Sequence, residues 1–167
     1  MVTETVATFE DSLGQLDVEW THTTSDGFEA TVASLIEEPA VGVSLPFDGA
    51  SLPDAVTVDP TAAALESART SVTPASFGVA EYGSVVLAST PGGAEPVSLY
   101  PELHVPVVRA DDVVPGMPEA FDRFGSEIRE HRSSSIIATG PSATADMGDL
   151  VFGAHGPKEV HVVILDE

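Results

Sequence analysis

Residues 136–165 constrain the fold more than any other segment of this chain. They contain three apolar, strand-like runs that alternate with two Gly-Pro turns, one at Gly140 and the other at Gly156. Apolar strands that stop at glycine-containing turns are typical of α/β proteins, which offer backbone N–H groups to ligands at such turns. This segment therefore predicts a binding site at the two turns and leaves the chemistry of that site open.

The spacing of apolar residues in the first half predicts alternating helices and strands. Residues 4–16 have helical spacing, and a second helix is expected after Ser25 and Asp26, either of which can cap it. Asp59 is expected to cap a third helix that begins at Pro60. The resulting order of helix, strand, helix, strand, strand, helix predicts a mainly parallel sheet with helices on its faces.

The second half predicts a hairpin, a proline-containing strand and a long helix. Residues 77–89 are expected to form the hairpin. In the strand at residues 104–108, Pro106 lacks an N–H group and so favours a sheet edge or a strand end. Residues 118–132 are expected to form a helix with one apolar face, made of Phe121, Phe124 and Ile128. Without repeats or linkers in the sequence, residues 1–167 are predicted to form one domain.

The charge of the chain limits its partners. It has 27 acidic residues against six basic ones, a net charge of −21, and its first basic residue is Arg69. Self-repulsion of this size destabilises a compact state, and concentrated salt screens it. Because the carboxylates are scattered, we interpret them as a halophilic adaptation to a salt-rich cytoplasm; an acidic surface for a basic partner is the alternative. The lack of a basic patch argues against binding to nucleic acid.

Other absences exclude several kinds of site. Without cysteine, the chain cannot form disulfides, thiolate nucleophiles or cysteine-ligated zinc and iron–sulfur clusters. No two histidines have the spacing of a metal site, so no metal is predicted, and His104 and His161 are expected to be packed or hydrogen-bonded. No apolar run approaches the roughly 20 residues that span a bilayer, and the N-terminus lacks a basic signal-peptide start. A cytoplasmic protein is expected, with its oligomeric state open.

The first Gly-Pro turn is a candidate anion site. Gly140 permits a sharp turn, Pro141 fixes its φ, and Ser142 follows at a position where it can cap a short helical turn. The N–H groups of such a turn, with the hydroxyls of Ser142 and Thr144, would favour an anionic ligand. The alternative is structural: Ser142 is only a cap, and Asp146 ends the turn.

The second Gly-Pro turn carries His155, and the predicted hairpin tip carries Glu81. Either side chain can transfer protons or bind a ligand, and either can be a structural or solvated turn residue. The short connection at His155 suggests that the strands on its two sides are antiparallel neighbours. Lys158, the only lysine, is expected to pair with a carboxylate. A Ser-His-Asp arrangement of Ser142, His155 and Asp146 lacks a nucleophile-elbow sequence.

Three segments, in order, resemble the LUD-domain family, the family of lactate-utilisation protein C. They are AEYGSVVL at 80–87, SLYPELHVPVV at 98–108, and the paired turns TGPSATAD and LVFGAHGPKEVHVVIL at 139–146 and 150–165. The resemblance covers residues 77–165, and the N-terminal half matches only in the order of its elements. It implies an α/β fold with a Rossmann-like mixed sheet flanked by helices, similar to the sugar-isomerase and CoA-transferase superfamily.

The resemblance also implies a role in converting L-lactate to pyruvate, beside partner proteins that carry iron–sulfur clusters and the redox apparatus. No cofactor is expected in this chain itself. The residues that match the family pattern are the catalytic candidates Glu81, His155 and Asp146 and the ligand-binding candidates Gly83, Gly140, Ser142, Thr144, Gly156 and Glu159. The sequence departs from the family pattern at Tyr82, Met147 and Gly148, which leaves the substrate open.

The leading hypothesis is a subunit of a lactate-oxidising system that binds a small anionic metabolite or a partner protein at the two turns. One alternative is an acyl- or nucleotide-dependent transferase or ligase, which the wider fold group permits. Another is a non-enzymatic scaffold subunit. The sequence does not decide whether the isolated chain is an enzyme.

Overall fold

The computed structural model describes residues 2–131 and 134–166, which contain α-helices and β-strands. The helices are α1 (Val2–Gln15), α2 (Phe28–Leu35), α3 (Ala62–Ser67), α4 (Ala94–Leu99) and α5 (Met117–His131). The strands are β1 (Glu19–Thr24), β2 (Ala40–Gly42), β3 (Val56–Val58), β4 (Thr70–Pro74), β5 (Phe77–Val79), β6 (Ser84–Ala88), β7 (Leu103–Arg109), β8 (Val113–Val114), β9 (Ser135–Thr139), β10 (Ala143–Asp146), β11 (Asp149–Phe152) and β12 (Glu159–Asp166). None of the described helices has the length and apolarity needed to cross a membrane.

Six strands form one parallel sheet, in the order β1-β12-β7-β4-β2-β3. A second sheet has the order β8-β5-β6-β9, in which β5 pairs in parallel with β8 and antiparallel with β6. The predicted hairpin is therefore the β5–β6 pair. Strands β10 and β11 form a separate two-stranded hairpin. The predicted α/β class is confirmed, with a mostly parallel central sheet flanked by helices.

Helix α1 joins the two sheets. Phe9 and Leu13, 0% and 1% exposed, lie in one hydrophobic cluster with Leu87 of β6 and Ile164 of β12. Successive residues of a strand point to opposite faces of its sheet, so the neighbours of Ile164 face the other way. On that other face the parallel sheet is covered by α2, whose Phe28 is fully buried. Each face of the parallel sheet thus has its own core.

Pro106 lies in a central strand, so its predicted position at an edge or strand end is wrong. Strand β7 runs between β12 and β4, and Pro106 lies opposite Thr73 of β4. The pairing of β7 with β12 stops after His104 and resumes at Val107 in the same register. The ladder is interrupted where Pro106 cannot donate a hydrogen bond. A central strand therefore tolerates this proline at the cost of a local gap in pairing.

The chain around the two Gly-Pro turns differs from the sequence prediction in two ways. After Gly140 it enters strand β10 instead of a helical turn, and Met147 and Gly148, with φ of 49° and 91°, close the β10–β11 hairpin. Two positive φ values at the centre of a two-residue loop are those of a type I′ turn. The strands on either side of His155 are not neighbours, because β11 pairs with β10 while β12 lies in parallel between β1 and β7.

Helix α5 buries a different stripe from the predicted one. Phe124 packs against Phe77 with ring centroids 5.4 Å apart, and Ala120, one turn earlier, is fully buried. Phe121 and Ile128 are 66% and 55% exposed, so only one of the three predicted residues faces the core. Residues three and four apart share a helix face, and here the shared face runs through Ala120 and Phe124. The predicted last residue of this helix, Arg132, lies outside the described residues.

The helix caps also differ from the predictions. The Thr61 side chain caps α3, since its Oγ1 accepts a hydrogen bond from the Ala64 N–H at 3.2 Å. Asp59 lies outside the helix with φ of 52°. Ser25 and Asp26 form a short 3-10 turn ahead of α2, and neither side chain caps that helix. Where several neighbouring residues are of types that can cap a helix, the sequence does not specify which one does, because capping depends on the local backbone conformation.

Candidate functional site

A cleft of about 430 Å³ lies beside the two Gly-Pro turns. Ser142 of the first turn and His155 of the second both line it, as do Leu13 of α1, Val85 of β6 and Val162 of β12. The cleft is therefore bounded by α1, by both sheets and by the turns. The structure brings together the two turns that the sequence singled out, although not by pairing the strands that flank them.

Backbone hydrogen bonds tie the two turns to each other. The Ser142 N–H donates to the Pro157 carbonyl at 2.9 Å, and the Gly153 N–H donates to the Ser142 carbonyl at 2.9 Å. Gly156 lies so near Ser142 that a Cβ on Gly156 would be 2.8 Å from the Ser142 Cβ and 3.0 Å from its Oγ. The turns thus form one tightly packed rim, and glycine is needed at position 156 for that contact.

Gly83 allows the close approach of two backbones at the cleft. It ends the turn between β5 and β6 with φ of 60°, in the left-handed region. A Cβ on Gly83 would lie 3.0 Å from the Ser12 carbonyl carbon and 3.1 Å from the Leu13 nitrogen, both in the backbone of α1. A side chain here would separate the hairpin from the helix, both of which line the cleft.

His104 is buried and hydrogen-bonded, as expected from the sequence, and it also lines the cleft, which the sequence did not predict. It lies in β7, is 2% exposed and lines the cleft. Its Nε2 lies 2.8 Å from Thr73 Oγ1, and its Nδ1 has no hydrogen-bond partner among the residues that the structure describes. Burial lowers the pKa of His104 to about 3, so the ring is neutral at physiological pH. The available signal was a histidine in an otherwise apolar strand.

None of the described residues that line the cleft has a side chain with a fixed charge. Within the described part of the chain, its lining contains neither Asp or Glu nor Lys or Arg. Its polar groups are two imidazole rings, the turn backbone and three hydroxyls. Ser98 donates its hydroxyl to the Glu95 carbonyl, and Thr139 shares a hydrogen bond with Ser84, which leaves Ser142 with the uncommitted hydroxyl. In a chain with a net charge of −21, such a cleft lacks the carboxylates that would repel an anion directly.

Four of the predicted site residues do not line this cleft. Glu81 borders a separate hollow beside the start of α1, although Gly83, two residues later, reaches the main cleft. Thr144 and Asp146 are exposed along the β10–β11 hairpin, and Glu159 borders a third hollow. The remaining candidates, Gly83, Gly140, Ser142, His155 and Gly156, all line the cleft.

Two other predicted side chains have structural partners. Lys158 Nζ lies 2.6 Å from Glu102 Oε1, and this pairing lowers the pKa of the Glu102 carboxyl group. His161 Nε2 lies 2.8 Å from Thr21 Oγ1, and burial lowers the pKa of His161. Across residues 2–131 and 134–166, no cluster of three or more potential ligands could hold a metal ion.

Replacing Gly156 with alanine should loosen the contact between the two turns. The new methyl group would lie 2.8 Å from the Ser142 Cβ, so one turn must move. We expect the Ser142 and Gly153 amides, which tie the turns together, to exchange with deuterium about tenfold faster, with a stability loss of about 1 kcal/mol. Gly125→Ala in helix α5 is the control and should leave both exchange rates unchanged. Unchanged rates in Gly156→Ala would contradict this tight packing.

Known proteins resemble this chain in sequence. Residues 10–165 match the profile of the LUD domain. Lactate utilization protein C from Geobacillus sp. (strain WCH70) is 35% identical over 106 residues, which are 60% of this chain and 44% of that protein. The protein of the same name from Bacillus subtilis (strain 168) is 34% identical over 110 residues, which are 60% of this chain and 44% of that protein. The one from Deinococcus radiodurans is 30% identical over 105 residues, which are 62% of this chain and 49% of that protein. The matched residues make up less than half the length of these relatives.

A solved structure shows the same fold. The crystal structure of a DUF162 family protein from Deinococcus radiodurans superposes with a TM-score of 0.76. The match covers 99% of this chain and 98% of that chain, at 20% sequence identity. At this identity the likeness concerns the fold alone, whereas the profile match covers most of the sequence. The chain belongs to the LUD domain family.

Proposed function

We propose that this chain is a metabolite-binding component of a lactate-utilisation system and takes part in the oxidation of L-lactate to pyruvate. The support from relatives is that several are named lactate utilization protein C. The observation that carries the proposal is geometric: Ser142 and His155, from two separate Gly-Pro turns, line one cleft, and none of its described lining residues has a fixed charge. The ligand is a small carboxylate held at that rim.

The rim offers suitable donors for a carboxylate. The Ser142 hydroxyl has no hydrogen-bond partner among the described residues, and it lies beside Gly156 at the junction of the turns. His155 is exposed on the second turn and carries a ring N–H donor in either protonation state. Hydrogen bonds to a charged group contribute more than those between neutral groups. Ser142 and His155 together can therefore orient a carboxylate without a lysine or arginine.

The chemistry of the reaction assigns a second role to His155. Oxidation of a 2-hydroxy acid to a 2-oxo acid removes two electrons and two protons. An imidazole nitrogen of His155 beside the hydroxyl can accept the O–H proton, and the second proton leaves C2 together with the two electrons for the acceptor. The electrons need an acceptor, and a cysteine-free chain cannot ligate an iron–sulfur cluster through thiolates. We therefore propose iron–sulfur or other redox subunits as partners, in a system located in a salt-rich cytoplasm.

Calorimetric titration with L-lactate and pyruvate tests the site. His155→Ala and Ser142→Ala should each weaken binding by about tenfold, the usual cost of losing a hydrogen bond to a charged group. His161→Ala is the control, because His161 lies outside the cleft, and it should bind as the wild type does. Affinities that are the same in all four proteins, or no binding of either acid, would contradict the proposed site.

A further inference from the structure

We propose that the inner part of the cleft is a subsite for an uncharged, mainly apolar side group, whose single hydroxyl or carbonyl bonds to His104. The substrate class is then the 2-hydroxy and 2-oxo acids, which includes lactate and favours acids with a larger apolar or aryl side group. This inference rests on the proposed function, since it assumes that the acid group of the ligand lies at the turns.

The volume of the cleft is the first argument. It measures about 430 Å³, within the range of roughly 300–1,000 Å³ that holds drug-sized ligands. A three-carbon acid bound at Ser142 and His155 would leave most of that space unfilled. Either water or a further part of the ligand must occupy the remainder.

The nature of the inner wall is the second argument. Leu13, Val18, Val85 and Val162 line the cleft but are at most 3% exposed. The apolar surface that a ligand can reach there belongs mainly to Leu99, Ile136, Ala138 and Val160, which line the cleft with part of their surface accessible. Water bound in such a place needs two to four polar partners, which four aliphatic side chains do not supply. An apolar group of the ligand gains free energy from the same surface by leaving water. The inner wall therefore favours a hydrocarbon or aryl group over bound water.

His104 is the third argument, because it supplies a polar atom within this apolar wall. His104 is 2% exposed, and with Nε2 committed to Thr73, Nδ1 is the ring atom left for a ligand. A hydrogen bond between Nδ1 and one hydroxyl or carbonyl of the ligand would stabilise the bound state. A neutral imidazole suits an uncharged partner, since no fixed charge among the described lining residues would balance an ionised side group.

Titration of the full chain with four acids tests the apolar wall and the His104 contact separately. L-3-phenyllactate should bind at least about tenfold more tightly than L-lactate, because its phenyl group leaves water. L-3-(4-hydroxyphenyl)lactate should bind about fivefold more tightly again, through His104. L-malate, which carries a second carboxylate instead, should bind no better than L-lactate. Equal affinities for all four acids would overturn the subsite.

Neighbouring residues of β9 supply a matched pair of variants. Ala138 lines the cleft, whereas Ile137, the next residue along the strand, does not line it and is 42% exposed. Ala138→Phe should fill the inner cleft and bring the ratio of the phenyllactate and lactate affinities close to one. Ile137→Phe should keep the wild-type ratio. If Ala138→Phe does not fold, Val85→Leu, which adds a single methylene, should still lower the ratio.

His104→Phe tests the contact between His104 and the ligand hydroxyl. This variant should no longer bind the hydroxyphenyl acid more tightly than phenyllactate, but it should still bind phenyllactate more tightly than lactate. Retention of the hydroxyphenyl preference in this variant would overturn the role of His104. If phenyllactate and lactate bind equally, but Ser142→Ala and His155→Ala still weaken lactate, the inner subsite is wrong and the proposed function stands. If the phenyl preference persists while those two variants have no effect, the turns are wrong and the apolar subsite stands.

Discussion

Acidification from pH 7.5 to pH 5 should cost the folded protein about 2 kcal/mol through His104 alone. Burial lowers the pKa of this residue from 6.5 to about 3. Below pH 6.5 the unfolded chain therefore binds a proton that the folded chain does not bind. The contribution to stability is complete above pH 6.5 and is lost progressively as the pH falls towards 3. Urea unfolding at both pH values measures it, and His104→Gln should remove most of this acid-dependent loss.

His22 provides a control of opposite sign for the same experiment. Its partial burial lowers the pKa, but hydrogen bonds to Glu10 at 2.5 Å and Asp166 at 2.9 Å outweigh that effect, so the pKa is raised. A raised pKa gives stability that is present below pH 6.5 and is lost as the pH rises through the folded value. His22→Gln should therefore enlarge the acid loss. All samples need the same KCl concentration because the net charge of −21 makes stability depend on salt.

The comparison between wild type and His104→Gln decides the outcome. Glutamine keeps a hydrogen-bonding side chain at position 104 but does not titrate, so any direct cost of the substitution is the same at both pH values. If the two proteins lose equal stability between pH 7.5 and pH 5, His104 is not buried as a neutral ring. The same result would remove one argument for its role in the cleft.

The elements that depend on local sequence could be predicted, whereas their pairing could not. The apolar period of α1 and the tight turn at Glu81 to Gly83 each fix a helix or hairpin within a few residues. The place of β12 between β1 and β7 depends on contacts between residues more than 50 positions apart. The short connection at His155 therefore suggested an antiparallel pair, because the separate β10–β11 hairpin could not be inferred from it.

In the candidate site, too, features that depend on local sequence could be predicted and those that depend on distant contacts could not. Ser142 and His155 could be predicted because each lies on a Gly-Pro turn that follows a strand. Glu81 could not be assigned to or excluded from the cleft, since that depends on the side of the hairpin tip to which it points. His104 was missed because a histidine in an apolar strand has the same sequence pattern whether it packs in a core or borders a cleft. Only the arrangement of both sheets around α1 distinguishes these cases.

Replacing Phe9 with alanine should destabilise the protein by about 3–5 kcal/mol. Phe9 is fully buried in the hydrophobic cluster to which α1 and both sheets contribute. Its ring lies so near Gly78 of β5 that a Cβ there would be 3.3 Å from Phe9 Cζ. Because Gly78 has no side chain that could move into the cavity, the space left by the Phe9 ring stays largely empty. Chemical denaturation of wild type and variant at pH 7.5 measures the loss.

Phe121→Ala is the matched control, since it deletes the same atoms from a residue that is 66% exposed. Its effect should stay within about 0.5 kcal/mol, as for most surface substitutions. Equal losses in the two variants would contradict the burial pattern of α1 and α5.

The Phe9 variant should also affect the cleft, because Leu13 lies one turn along the same face of α1 and lines the inner wall. A helix held less firmly against both sheets leaves that wall less well defined, so ligand affinity should fall together with stability in Phe9→Ala and remain unchanged in Phe121→Ala.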